Sequence, residues 1–304
     1  TILNSAVQKL QQQSPPYIDR KRWAWLISVI GPAISLVGTV SVSAFDVGTW
    51  VLFFPLVFFY ALVPLLDFVI GEDTSNPPES SIAALEADPY YRWITYATIP
   101  VLWVSVIFNC IFLCSFSLSA MEWIATVITT GSVLGFGLNV SHELGHKLQK
   151  IPRKIALFNT ALGVYGHFSI EHNRGHHRHV STPEDPASSK MGENIYQFAC
   201  REIPGGAFRA WQLESDRLHR QNKSSWHFEN EILQALCLSI LVHGTLIGFY
   251  GIEMLMVLVP LVLWGAFQLT SANYVEHYGI QRLKTAQGVF HQERKGCRFA
   301  RPSI

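Results

Sequence analysis

Six stretches of this chain are apolar over lengths that a water-soluble fold has little means of hiding: 23–45, 50–70, 93–116, 121–140, 232–250 and 254–272. A helix needs ~20 apolar residues to cross a bilayer, and soluble core helices rarely sustain such a run without a polar face. Charged residues make up 15% of the 304, against about 25% in ordinary soluble domains. The expected fold is therefore all-α, a polytopic membrane protein with six transmembrane helices in a single domain over 1–304. The first run is too long, and too far along the chain, for a cleaved signal peptide, and no lipidation motif is present. Five scattered cysteines form no C-x-x-C pair, so buried structural thiols are expected rather than a disulfide framework.

The basic residues orient the spans. Pairing the runs into hairpins leaves short outer turns near 46–49, 117–120 and 251–253. The other side then holds the segments 1–22, 71–92, 141–231 and 273–304. These four carry 4, 1, 12 and 6 lysines and arginines, which is all 23 in the chain. Cytoplasmic loops hold the excess of basic residues in membrane proteins. Both termini are thus expected in the cytoplasm, with the lipid bilayer as the protein's surroundings. The net charge of +1 carries no nucleic-acid signal, and no such partner is expected.

The inner segment 141–231 is too long for a passive connector and holds nine of the twelve histidines. At its start, His142-Glu-Leu-Gly-His146 places two imidazoles four residues apart, on one face of a helix. Alone this is also the H-E-x-x-H pattern of zinc peptidases, with Glu143 as base. A second cluster, Glu171-His172-Asn-Arg-Gly-His176-His177, repeats the four-residue spacing and adds a neighbour. With His277, in N-Y-V-E-H-Y-G (273–279), the ligand candidates number six, more than a peptidase's three protein ligands. Six imidazoles at one membrane face suggest more than one metal ion, and imidazole suits zinc, copper, iron and nickel alike. Glu143, Glu171 and Glu276 each precede a proposed ligand. With His167 they are candidates for orienting the ligand rings.

H-E-L-G-H-K (142–147), E-H-N-R-G-H-H (171–177) and N-Y-V-E-H-Y-G resemble the signature elements of bacterial membrane alkane hydroxylases, within the fatty-acid desaturase and hydroxylase superfamily. G-E-D (71–73) before N-P-P (76–78), T-P-E-D-P-A (182–187) and R-E-I-P-G (201–205) resemble the same family, over roughly 55–283. The resemblance implies a cytoplasm-facing site with two non-haem irons bound mainly by histidine. It also implies electrons from a rubredoxin recharged by a NAD(P)H-dependent reductase, and O2-dependent hydroxylation of the terminal methyl of an n-alkane. Arg174, Arg178 and Lys190 are candidate contacts for an acidic rubredoxin. The family carries a further H-x-x-H-H cluster downstream; none occurs through Ile304, and the tail from about 285 does not resemble the family. The expectations this leaves open are a fatty-acyl desaturase or other hydroxylase of the superfamily, an intramembrane zinc peptidase, and a truncated, inactive family member.

Overall fold

The computed structural model describes residues 17–71, 77–282 and 299–300. The chain forms two compact units, Thr1–Ser105 and Val106–Ile304, taken in turn below. Apart from 299–300, the atypical tail, with His291, lies outside the described residues.

In the first unit a 3-10 turn, Arg22–Leu26, leads into α1 (Ile27–Ile34) and α2 (Leu36–Ala44). The span read at 23–45 is bent, its two halves meeting at 48°. Pro32 cannot donate to the carbonyl four residues back, and the Ser35 hydroxyl donates to the Pro32 carbonyl at 2.7 Å. The second span, α3 (Thr49–Ile70), widens to a π-helical turn at Phe58–Leu62, between Pro55 and Pro64. Gly38 lets α2 and α3 meet, since a Cβ there would lie 2.9 Å from the Leu52 Cα. After α4 (Glu79–Ala87), α5 (Pro89–Ser115) begins with two tyrosines that secure the entry of α1. The Tyr90 hydroxyl donates to the Arg22 carbonyl at 2.8 Å and that of Tyr91 to Asp19 at 2.6 Å.

The second unit contains α6 (Ala120–Gly145), α7 (Lys150–Leu162), α8 (Ile195–His219), α9 (Glu231–Tyr250) and α10 (Met254–His277). Polar caps start three of them. Ser119 and Glu122 form a reciprocal capping box at α6, Asn194 and Gln197 do so at α8, and Asn230 caps α9; such caps satisfy otherwise orphaned N–H groups. Among the described residues five helices, α3, α5, α6, α9 and α10, are long and apolar enough to span a membrane, and the bent α1–α2 pair, taken as one span, makes a sixth. The all-α membrane fold holds. Its one β element among the described residues is a two-residue pairing, Gln281 with Ala300 and Arg282 with Phe299.

α6 and α10 pack through small residues, as membrane helices do where backbones must come close. A Cβ on Gly135 would meet the Gln268 Cβ at 2.6 Å, and one on Gly265 would meet Leu134 at 2.9 Å. Two side chains tie α7 to α6, because Asn159 Nδ2 donates to the Gly137 carbonyl at 2.7 Å and to Ser141 Oγ at 2.8 Å. Ser239 of α9 donates to the Ala161 carbonyl at 2.7 Å. The cysteine expectation fails in part: Cys110 is buried, but Cys200 and Cys237 are exposed, and the described cysteines are free.

Candidate metal centre

His142 and His146 lie on the last turn of α6 and just beyond it. Their Nε2 atoms are 2.8 Å apart. The second cluster is built differently from the α-helical pair its spacing suggests. Glu171–His176 form a π-helical turn between short α turns at Phe168–Ile170 and His177–His179. In an α-helix residue i+5 lies about 140° round from residue i; hydrogen bonds from i to i+5 widen the turn and bring it back. His177 thus meets His172, with the Nε2 atoms 3.0 Å apart, and His172 Nε2 lies 3.2 Å from that of His146. One nitrogen each from His142, His146 and His172 falls within 4.8 Å of the others.

His176 serves the other side. Its ring stacks on His172 at 5.1 Å and lies 4.8 Å from the ring of His277, at the end of α10. Its Nδ1 contacts Asp185 Oδ2 at 2.9 Å. Asp185 also accepts from Ser188 Oγ at 2.5 Å and the Ala187 N–H at 3.2 Å. Burial pushes the Asp185 carboxyl upward, but these hydrogen bonds and the His176 ring outweigh it and hold it below its usual value. The carboxylate therefore accepts the Nδ1 proton and leaves His176 Nε2 with a lone pair.

The other four candidates are placed unequally. Glu143 is mostly exposed, 3.4 Å from His142 Nδ1, and Glu276 reaches His277 only at 3.9 Å. His167 packs its ring on Tyr165 at 4.5 Å, and burial pulls its pKa down to about 4. Glu171 is buried beneath the turn, 3.6 Å from Arg209. Burial and the Asp185 charge raise its carboxyl to about 7, against the pull of His176 and Arg209. His219 and His243 do other work: the first contacts Ser225 at 3.2 Å and the second the Leu162 carbonyl at 3.0 Å.

Three buried carboxylates behind the rings were missed as site residues. Asp185 and Glu202 lie in the T-P-E-D-P-A and R-E-I-P-G elements, legible as motifs but without a role until folded. Glu202 binds α8 to α10 by accepting from Thr270 Oγ1 at 2.7 Å and Asn273 Nδ2 at 3.3 Å. Glu214 is fully buried and accepts from Arg174 at 2.7 Å and Arg217 at 2.7 and 2.8 Å. Arg174, a candidate docking contact, is also a tie that fastens the π turn to α8.

The ring nitrogens suit a cation. A neutral imidazole has one N–H and one lone pair, so four Nε2 atoms cannot all hydrogen-bond one another, and an ion among them removes the conflict. Burial and the surrounding imidazoles push the His172 pKa far down, which keeps its lone pair free. His277 Nε2 is buried with no hydrogen-bond partner. On the membrane side, Leu138, Tyr165, Phe168, Ala266 and Leu269 form a buried apolar cluster, with Phe168 stacked on His172 at 5.1 Å. A cavity of ≈ 330 Å³ lined by Cys114, Trp123, Tyr250 and Glu253 lies at the opposite end of α6 and α10.

Membrane spans with imidazoles clustered at the end of α6 and α10 make this a membrane protein with a candidate histidine metal site. Comparison with known proteins narrows the class. The fatty acid desaturase family model matches residues 117–299. Alkane 1-monooxygenase 1 of Alcanivorax borkumensis is 44% identical over 278 residues, 91% of this chain and 69% of the relative. The alkane 1-monooxygenases of Pseudomonas putida and Ectopseudomonas oleovorans are 44% and 41% identical, over 92% and 94% of this chain and 70% and 71% of theirs. The chain belongs to the alkane 1-monooxygenase family of oxidoreductases, as its histidine motifs led us to expect.

Proposed function

We propose that this protein hydroxylates the terminal methyl of n-alkanes with O2, using two irons held by His142, His146, His172, His176, His177 and His277 and electrons from a rubredoxin. One observation carries the reading: four imidazoles converge on one point beside the His176–His277 pair, directly under an apolar cluster. The relatives' shared name, alkane 1-monooxygenase, supports the substrate. The basic residues on the histidine side support a cytoplasmic site in the inner membrane, where a rubredoxin and its NAD(P)H-dependent reductase would meet it.

An unactivated C–H bond offers no handle for acid–base attack, so bound iron supplies the redox chemistry. The chain's own residues do the rest. Asp185 fixes the tautomer of His176 and turns its Nε2 away from the carboxylate. Arg209 anchors the π turn by donating to the Gly175 carbonyl at 3.2 Å and to the Glu184 carbonyl at 2.9 Å. Leu138, Phe168 and Leu269 exclude water and offer an alkane only area, roughly 0.8 kcal/mol per buried methylene. Exposed Arg178 and Lys190 remain for electrostatic steering of an acidic donor.

The test is metal and product together. The purified protein should contain iron, and with rubredoxin, reductase, NAD(P)H and n-octane it should yield 1-octanol. His172→Ala should lose most of the iron while still inserting in the membrane. Zinc at one ion per chain, or iron unchanged in His172→Ala, would refute the assignment. Unsaturated acyl products would favour a desaturase.

A further inference from the structure

α7 leaves the membrane directly after α6, and its composition is unusual. Between residues 147 and 170 there are four basic residues, Lys147, Lys150, Arg153 and Lys154, and no acidic one. Its inner face, with Pro152, Ala156, Asn159 and Thr160, is buried. Hydrogen bonds from Asn159 to α6 and from Ser239 to the Ala161 carbonyl fix that face to two membrane spans. That face is therefore held against the histidine-end halves of both spans.

The outer face is not the polar one a helix in water presents. Just ahead of α7 Leu148 is 95% exposed, and on the helix Ile151 is 68% and Phe158 42% exposed. Ile151, Lys154 and Phe158 are three and four residues apart and share one side, flanked by the exposed Lys150 and Arg153. An apolar stripe rimmed by cations, without acidic neighbours, describes a helix lying in the membrane surface. Lysines and arginines at that depth attract anionic headgroups.

We propose that α7 is an anionic-phospholipid site: its apolar stripe enters the acyl boundary, and Lys150, Arg153 and Lys154 hold lipid phosphates. An acidic protein would use the same charges, but it gives no reason for Leu148 and Ile151 to project outward beside two spans. The lipid accounts for both the charges and the stripe.

Native mass spectrometry of the full chain in detergent, offered equimolar phosphatidylglycerol and phosphatidylcholine, reads the preference directly. The wild type should retain phosphatidylglycerol selectively and lose that selectivity as salt rises, a readout that no variant's folding can confound. The triple variant Lys150→Gln/Arg153→Gln/Lys154→Gln should lower the preference at least about tenfold, with its circular dichroism unchanged. A control, Lys190→Gln/Arg220→Gln, should keep it. A wild type without preference, or a triple variant that keeps it, overturns the proposal. A triple variant that keeps the lipid preference but loses salt-sensitive binding of rubredoxin also overturns it and makes α7 a protein-docking face.

Discussion

An imidazole can turn only one nitrogen to a metal, so whatever holds the other nitrogen governs the ligand. For His176 that group is Asp185, at 2.9 Å. Asp185→Asn keeps the volume but makes the acceptor ambiguous; metal affinity should fall about 10–100-fold, measured by competition with a chelator, with little change in melting temperature. Gly175 tests the turn itself, because a Cβ there would lie 2.8 Å from Glu171 Oε1, 3.1 Å from Leu213 and 3.2 Å from Arg209. Gly175→Ala should therefore displace Glu171 and reduce bound metal in elemental analysis. The histidines were legible in the sequence because their spacing repeats and their chemistry is narrow. Asp185 was not: it reaches His176 only after the chain turns back at 180–185, and an isolated aspartate in a loop has many ordinary uses.

At the scale of elements, the spacing located the second cluster and misjudged its helix. The stretch E-H-N-R-G-H fits an α pattern as well as a π one, and the choice is made by what grips the turn from outside. Arg209 takes the Gly175 carbonyl, and Glu214 takes Arg174. Glu214 also gives a pH signature. Burial pushes its pKa up, but Arg217, the Glu231 N–H and Arg174 outweigh burial and hold it below its usual value. A depressed carboxyl contributes stability above its unfolded pKa and loses it as pH falls through the folded one. Glu214→Gln should thus destabilise the protein most at neutral pH, by about 3–5 kcal/mol for a broken buried pair. The gap from wild type in thermal melts should narrow in acid. A gap that is constant with pH would mean that charge is not the cause. The α6–α10 contact is a further test: Gly135→Val overpacks against Gln268 and Gly265, at a cost of about 1–3 kcal/mol, and should lower melting and metal content together.

For the whole molecule, the bilayer made the fold readable. It demands long apolar helices and sorts basic residues to one side, and both demands are written plainly in the chain. The bend between α1 and α2 is marked in the sequence only by Pro32, and a length count does not register a kink. The basic residues predict an orientation that is directly measurable: an alkaline phosphatase reporter inserted at Ser117 should be active outside the cytoplasm, and one at Lys190 inactive. The reverse pattern would invert the assignment of the site to the cytoplasm. The π turn has a consequence for the two halves of the histidine cluster. His176 and His177 are consecutive, so their Cα atoms stand about 3.8 Å apart on a single rigid peptide, yet one ring joins His277 and the other joins His172. The peptide is a crossbar between the two groups of rings. In the proposed centre, a ligand shifted on one side should therefore strain the other through that shared peptide.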